Sequence, residues 1–98
     1  MDRDQVIATL RRHEPELRAA GVVKLSVFGS TARGDRRSDS DIDLLARFDE
    51  SRRLSLLDVV GIELQLGALL GQTVDLIEEG TLKPRVQEKV EPETVRAF

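Results

Sequence analysis

At positions 27–45 the chain reads VFGSTARGDRRSDSDIDLL, in which a polar loop separates two apolar runs. The first run begins at Val22 and reads as a strand ending at a Gly29–Ser30 turn, and the second carries Asp41 and Asp43. Residues two apart in a strand point to the same face, so both carboxylates emerge on one side, roughly 6–7 Å apart at Cα. Like charges side by side are unfavourable unless a cation lies between them, so the pair predicts a divalent metal ion.

The segments around this stretch predict the fold class. Apolar periodicity and flanking turn residues predict helices over 4–12, 14–18 and 54–70, a short helical turn over 31–33, a third strand over 73–77, and a last short helix or loop over 82–90. Helices on a small sheet are an α/β layer design. The sequence therefore predicts an α/β (α+β) fold with a small mixed sheet of three to four strands flanked by helices, in a single domain spanning residues 1–98.

Composition limits the function classes. The 98 residues include no cysteine, which excludes disulfides and thiolate metal sites, and the net charge of −3 argues against binding to a nucleic-acid backbone. The N-terminus is charged and no apolar run approaches the ~18 residues of a membrane span. We therefore expect a cytoplasmic protein with no membrane or direct nucleic-acid partner.

The predicted helix over 54–70 is apolar around well over half of its circumference, with Asp58 and Gln65 marking a narrow polar side. A helix that packs only one face on a sheet needs a narrower apolar surface than this. Two interpretations stay open: a deeply packed helix in a small domain, or a surface that binds a partner chain.

A third acid, Asp75, lies in the predicted strand over 73–77. Together with Asp41 and Asp43 it makes a possible oxygen-only site, which suits Mg²⁺ or Mn²⁺. Gly29 allows close approach of a phosphate to the backbone, and Ser30 adds a hydroxyl donor. The metal ion and the Gly29–Ser30 turn together would bind the phosphates of a nucleoside triphosphate.

Competing motifs fit less well. The spacing Gly29-x-x-x-x-Gly34 is that of a P-loop, but Asp35 and Arg36 follow where Lys and Ser/Thr are required. A calcium EF-hand beginning at Asp39 would need Gly where Leu44 stands. A further alternative is that the acids are solvated charges on exposed parts of strands.

The spacing between the Gly-Ser turn and the Asp-x-Asp pair distinguishes these alternatives. Gly29–Ser30, ten intervening residues and then Asp41-x-Asp43 resemble the signature of the nucleotidyltransferase superfamily that includes DNA polymerase beta. The fuller strings FGSTARGD at 28–35 and SDIDL at 40–44 are similar to its smallest branch, the minimal nucleotidyltransferases or MNT-domain antitoxins, which are encoded beside HEPN-domain toxins. The resemblance extends over nearly the whole chain and implies the nucleotidyltransferase fold.

The resemblance also implies roles for the three acids. Asp41 and Asp43 would ligate Mg²⁺ bound to the triphosphate. Asp75 would complete a second metal site and help to deprotonate the acceptor hydroxyl. All three would therefore be both metal ligands and catalytic residues, with two Mg²⁺ ions present when nucleotide is bound.

For the nucleotide, the resemblance implies that Gly29 and Ser30 contact the phosphates, with Arg33 as a phosphate-binding or structural residue. A hydroxyl would attack the α-phosphorus of ATP and release pyrophosphate. The implied acceptor is a Tyr hydroxyl on the HEPN toxin, an RNase that AMP addition inactivates.

Two functions are therefore expected to compete. In the first, the protein is an AMP-transferring antitoxin that modifies its toxin within a hetero-oligomer. In the second, it is a non-catalytic antitoxin that neutralises the toxin by binding, a hypothesis motivated by the wide apolar helix and by Lys83-Pro84-Arg85.

Overall fold

A computed structural model describes residues 2–34, 41–79 and 94–98, and within these ranges it forms one mixed sheet with helices packed on it. In chain order the elements are α1 (Arg3–Arg12), α2 (Glu14–Ala20), β1 (Val22–Val27), α3 (Gly29–Arg33), β2 (Ile42–Phe48), a 3₁₀ turn (Glu50–Arg52), α4 (Leu56–Leu70), β3 (Val74–Glu78) and β4 (Val95–Arg96). The predicted α/β (α+β) class is confirmed. The linker at 35–40 and the helix or loop predicted over 82–90 lie outside the described residues.

The strand order of the sheet is β3-β2-β1-β4. β1 is antiparallel to both β2 and β4, whereas β2 and β3 are parallel. Val27, at the end of β1, therefore lies opposite Leu44 near the start of β2, and Val74 at the start of β3 lies beside Ile42. The C-terminal end of β1 and the N-terminal ends of β2 and β3 therefore meet at the same end of the sheet, which we call the sheet edge.

The core between helices and sheet is aliphatic, as the scarcity of aromatic residues predicts. Its fully buried side chains come from both layers: Val6, Leu10, Leu17, Val22, Leu25, Val27, Ile42, Leu44 and Leu66. α2 begins with Pro15 in its first turn and ends at Gly21, whose φ of 115° is in the left-handed region that glycine adopts without strain. No helix in the described ranges is both long and apolar enough to cross a bilayer.

α4 and the last residues of the chain differ from what the sequence predicts. α4 begins at Leu56 rather than Leu54, because Ser55 and Asp58 form a capping box in which Asp58 N–H donates to Ser55 Oγ at 3.2 Å. Residues 95–96, where no strand was predicted, form the short strand β4, which adds to the edge of β1. Its end is fixed further by the Ala97 N–H, which donates to the Leu25 carbonyl at 2.8 Å.

α4 is not deeply packed. Ile62, Leu66 and Leu70 are buried against the sheet, but Leu56, Leu57 and Leu64 are 79%, 82% and 70% exposed. The first interpretation of its wide apolar surface is therefore wrong. The expected narrow polar side is wrong too, since most of the solvent-facing side is apolar.

Candidate active site

The register of the two parallel strands brings two of the predicted acids together. Asp43 in β2 is paired directly with Asp75 in β3. Neighbouring strands lie about 4.8 Å apart, and directly paired residues project to the same face. Asp41 immediately precedes β2, two residues before Asp43. All three acids therefore lie at the sheet edge where the strand ends meet.

Their charges interact. Partial burial raises the pKa of Asp43, and the negative charges of Asp75 and Asp41 raise it further. The hydrogen bond from Ser30 and the positive charge of Arg33 lower this pKa, but the net direction is upward. The ionised carboxylate is therefore held in a field that a cation would relieve.

The Gly29–Ser30 turn lies directly on Asp43. The Phe28 N–H donates to the backbone carbonyl of Asp43 at 3.1 Å, and Ser30 Oγ donates to Asp43 Oδ2 over a long 3.5 Å. Gly29 has a φ of 61°, and a Cβ added there would lie 3.0 Å from Asp43 Oδ2. Both the backbone conformation and the proximity of the carboxylate therefore favour glycine at this position.

Thr31 is a positioning residue that the sequence analysis missed. Its side-chain Oγ1 accepts a hydrogen bond from the Asp43 N–H at 3.1 Å, and Thr31 is only 2% exposed. The helical turn predicted over 31–33 begins earlier, since α3 starts at Gly29, and its N-cap Phe28 makes no side-chain cap hydrogen bond. The Thr31 hydroxyl instead fixes the backbone of the strand, a contact that no local pattern in the sequence signals.

α3 is also tied to α1. Arg3 Nη1 donates to the Ala32 carbonyl at 3.0 Å, and Ala32 is buried. Arg33, in the last turn of α3, lies close enough to Asp43 to lower its pKa. The helix that follows the turn is therefore held from two sides, with its one cation near the acids.

The acids suit an oxygen-liganded ion completed by other ligands. In the described part of the chain no three acidic or histidine side chains converge as a ready-made metal cage. Asp41 and Asp75 are exposed and Asp43 is half-buried, which leaves space for water and phosphate oxygens. Mg²⁺ is usually bound in this way, by one or two carboxylates together with substrate phosphates.

Residues 8–97 match the sequence model of the nucleotidyltransferase domain family. The chain belongs to this family. This nucleotidyltransferase is 40% identical over 93 residues to the protein adenylyltransferase MntA of Thermococcus cleftensis, covering 94% of this chain and 92% of MntA. The resemblance inferred from the Gly-Ser and Asp-x-Asp motifs is thereby confirmed, and so is the inference that the protein is an enzyme.

Solved structures show the same fold. A protein named as a minimal nucleotidyltransferase is 40% identical, with a TM-score of 0.82 over 97% of this chain and 95% of that one. A chain in the complex of a tri-AMPylated Shewanella oneidensis HEPN toxin with its MNT antitoxin has a TM-score of 0.65 at 16% identity, covering 94% of this nucleotidyltransferase and 71% of that chain. The predicted nucleotidyltransferase fold is therefore confirmed.

All six predicted site residues lie within the matched range and among the described residues. They lie on three neighbouring segments, α3, the start of β2 and the start of β3: Gly29, Ser30, Arg33, Asp41, Asp43 and Asp75. Their individual roles in binding nucleotide and metal stay predictions.

Proposed function

We propose that this nucleotidyltransferase is an antitoxin that transfers AMP from ATP, with Mg²⁺, to a hydroxyl of a cognate HEPN-domain RNase toxin. The observation that supports this most directly is the position of Asp43, which pairs with Asp75 and contacts the Gly29–Ser30 turn. The proposed metal ligands and the proposed phosphate donors are therefore adjacent. The similarity to MntA, named as a protein adenylyltransferase, supports a protein as the acceptor.

The donor set fits Mg²⁺, with Asp41 and Asp43 as the ligands of an ion bound to the triphosphate and Asp75 completing a second site. When bound, Mg²⁺ polarises the phosphoryl oxygens and neutralises the charge that develops on them. The raised pKa of Asp43 reflects first its partial burial and then the repulsion from Asp75 and Asp41. Any bound cation would lower that pKa and keep the carboxylate ionised.

Substrate phosphates would lie against the first turn of α3. Gly29 presents no side chain there, so the backbone can approach a phosphate closely. Ser30 Oγ, which contacts Asp43 at 3.5 Å, could instead donate to a phosphate oxygen. Arg33 supplies a positive charge on the same helix.

In the proposed reaction, the acceptor oxygen attacks the α-phosphorus and forms a new P–O bond, while the bond to the β-phosphate oxygen breaks and pyrophosphate leaves. Asp75 takes the hydroxyl proton. Its side chain is exposed and lies beside Asp43, so a hydroxyl from another protein can reach it. A Tyr is the proposed acceptor, because the resemblance to MNT-domain antitoxins implies one.

The experiment is transfer of label from α-labelled ATP to the co-purified cognate toxin in Mg²⁺. The double variant Asp41→Asn/Asp43→Asn should lose transfer by at least about a hundredfold, because both proposed ligands of the first ion are gone. The matched control is Glu50→Gln, which removes one exposed carboxylate beyond the far end of β2 and should retain transfer. Mass spectrometry of the toxin, with a Tyr→Phe variant of the modified residue, identifies the acceptor.

Absence of label transfer by the wild-type pair with Mg²⁺ or Mn²⁺ would refute the proposal. A variant that no longer transfers AMP, yet still silences the toxin in a stoichiometric complex, would favour neutralisation by binding. Far-UV circular dichroism of each variant separates loss of chemistry from loss of fold.

A further inference from the structure

The side of α4 that faces away from the sheet is apolar along its whole length. At 3.6 residues per turn, this side contains the most exposed apolar residues of the helix. It also contains the small residues between and after them, as far as the C-cap: Leu56, Leu57, Val60, Gly61, Leu64, Gly67, Ala68 and Gly71. The charged residues of α4, Asp58 and Glu63, lie at its two borders. We call these eight residues the α4 stripe.

The α4 stripe is divided by size. Its N-terminal half carries Leu56, Leu57 and Val60, which are 79%, 82% and 41% exposed. Beyond Leu64, which is 70% exposed, the stripe carries only the small residues Gly67, Ala68 and Gly71. Large side chains therefore protrude from residues 56–64, which we call the large half, and residues 67–71, the small half, have none to match them.

The small half borders an open groove. This groove has a volume of about 460 Å³ and is formed by the end of α4 and the start of β3; it is lined by Glu63, Leu64, Gly67, Ala68, Gly71, Gln72, Thr73 and Val74. Isolated exposed leucines are common on protein surfaces, but a continuous apolar side next to a groove indicates an interaction surface. The protruding leucines have the size and chemistry to fill a groove of this kind.

Charge fixes the direction of packing. Arg53 is exposed and lies just before the N-terminus of α4, whereas the last turn of α4 contains no basic residue. The C-terminal end of a helix carries a partial negative charge that a cation stabilises. An antiparallel second helix of the same sequence would bring its Arg53 to that end, and a parallel one would bring two Arg53 side chains together.

We propose that α4 packs antiparallel against α4 of a second copy of this chain, across a two-fold axis near Gly61 and Ile62. Leu57 of each copy then lies against Gly67 of the other, Leu56 lies against Ala68, and Val60 faces Leu64. A two-fold interface uses the same surface twice, so the large half and the small half are matched reciprocally. This is why a second copy fits better than an unrelated partner, which would need both patterns. The inference does not depend on AMP transfer.

The first test is the mass of the full-length protein without toxin, measured by sedimentation equilibrium over a range of protein concentrations. We expect a reversible dimer, because one helix face is a small interface. Leu57→Glu should give a monomer at concentrations where the wild type is dimeric. Ala8→Glu makes the same change in charge at an exposed position of α1 and should stay dimeric. Circular dichroism reports whether each variant is folded.

The second test uses disulfides, since the chain has no cysteine of its own. Gly61→Cys, near the axis and with open space for a side chain, should cross-link to itself under mild oxidation. The two copies of residue 57 would be about 15 Å apart along the helix axis, beyond the ~6.8 Å that a disulfide spans between Cα atoms. Leu57→Cys should therefore cross-link with Ala68→Cys but not with itself.

Three results would overturn the inference. One is a monomer at every concentration, including a monomer that associates only when the HEPN toxin is added, since the α4 stripe would then serve that partner. Another is a dimer that Leu57→Glu leaves intact. The third is self-cross-linking of Leu57→Cys without cross-linking to Ala68→Cys, which would indicate a parallel pair.

Discussion

Gly29→Ala tests whether the first turn of α3 and the carboxylate of Asp43 act as one unit. Gly29 has a φ of 61°, where a residue with a Cβ is destabilised by about 1–2 kcal/mol. The added Cβ would also lie 3.0 Å from Asp43 Oδ2, so the carboxylate must move by a few tenths of an ångström. The substitution therefore affects both the free energy of unfolding and the position of a proposed metal ligand.

Gly34→Ala separates the two effects. Gly34 ends the same helix with a φ of 79°, and a Cβ there has no neighbour within 4 Å. Both variants should lose about 1–2 kcal/mol of stability, which lowers Tm by about 4–8 °C per kcal/mol in a domain of this size. Only Gly29→Ala should also lose transfer, by about tenfold to a hundredfold, because small displacements of reacting groups have effects of that size.

The assay is urea unfolding of both variants together with label transfer from α-labelled ATP to the toxin, at a temperature where each variant is fully folded. The reasoning would be refuted if Gly29→Ala, folded and saturated with Mg²⁺ and ATP, transferred AMP as fast as Gly34→Ala. Equal loss of transfer in both variants would also contradict it, since backbone strain alone would then explain the result.

Three further outcomes follow from the same contacts. Folding raises the pKa of Asp43 above its usual 3.8. The free energy of unfolding should therefore fall as pH rises from 3.8 through the raised pKa of the folded state. With EDTA, Asp43→Asn should therefore have a higher Tm than wild type at pH 7, with no advantage below pH 3.8, and added Mg²⁺ should stabilise only the wild type. Thr31→Val leaves the Asp43 N–H without its acceptor and should cost about 1–3 kcal/mol in urea unfolding, whereas Thr31→Ser keeps the acceptor and should cost less. Phe98→Ala removes a ring that is 8% exposed, with Arg18 5.1 Å from its centroid, and should destabilise the fold by about 3 kcal/mol in thermal unfolding.

The sequence predicted those parts of the fold that repeat a strong local pattern. β1 and β2 are nearly continuous apolar runs, and the ends of α2 and α4 are fixed by Gly21 and Gly71, both with positive φ. β4 escaped detection because it has two residues and depends on pairing with β1 rather than on a pattern of its own. A strand that short is specified by the edge it joins.

The side of α4 that is buried could not be predicted for a related reason. When both sides of a helix are apolar, periodicity does not say which one faces the sheet. In the structure, Ile62, Leu66 and Leu70 pack against the sheet, whereas Leu57 and Leu64 are exposed. Which side is buried depends on the shape of the sheet surface that α4 packs against, and this surface exists only in the folded domain.

The candidate site was predictable where chemistry and spacing coincide. Asp41 and Asp43 are two residues apart at the start of β2, so their proximity follows from the sequence. The pairing of Asp75 with Asp43 depends on the register of two strands separated by α4, and the motif alone does not specify it. Thr31 is harder still, because its hydrogen bond to the backbone of Asp43 joins residues that lie 12 positions apart in the chain.

The packing of β2 explains how this fold holds a charge that is unfavourable for its own stability. Ile42 and Leu44 are fully buried on one face, while on the other face Leu45 is 5% exposed and Asp43 is half-buried. Asp43 therefore lies where the covered part of that face opens, which partly desolvates the carboxylate and raises its pKa. The flanking buried residues prevent the strand from moving to relieve the repulsion from Asp75. A rigid strand that begins at the open end of the sheet thus keeps the acids close together, which is the arrangement that the proposed Mg²⁺ site needs.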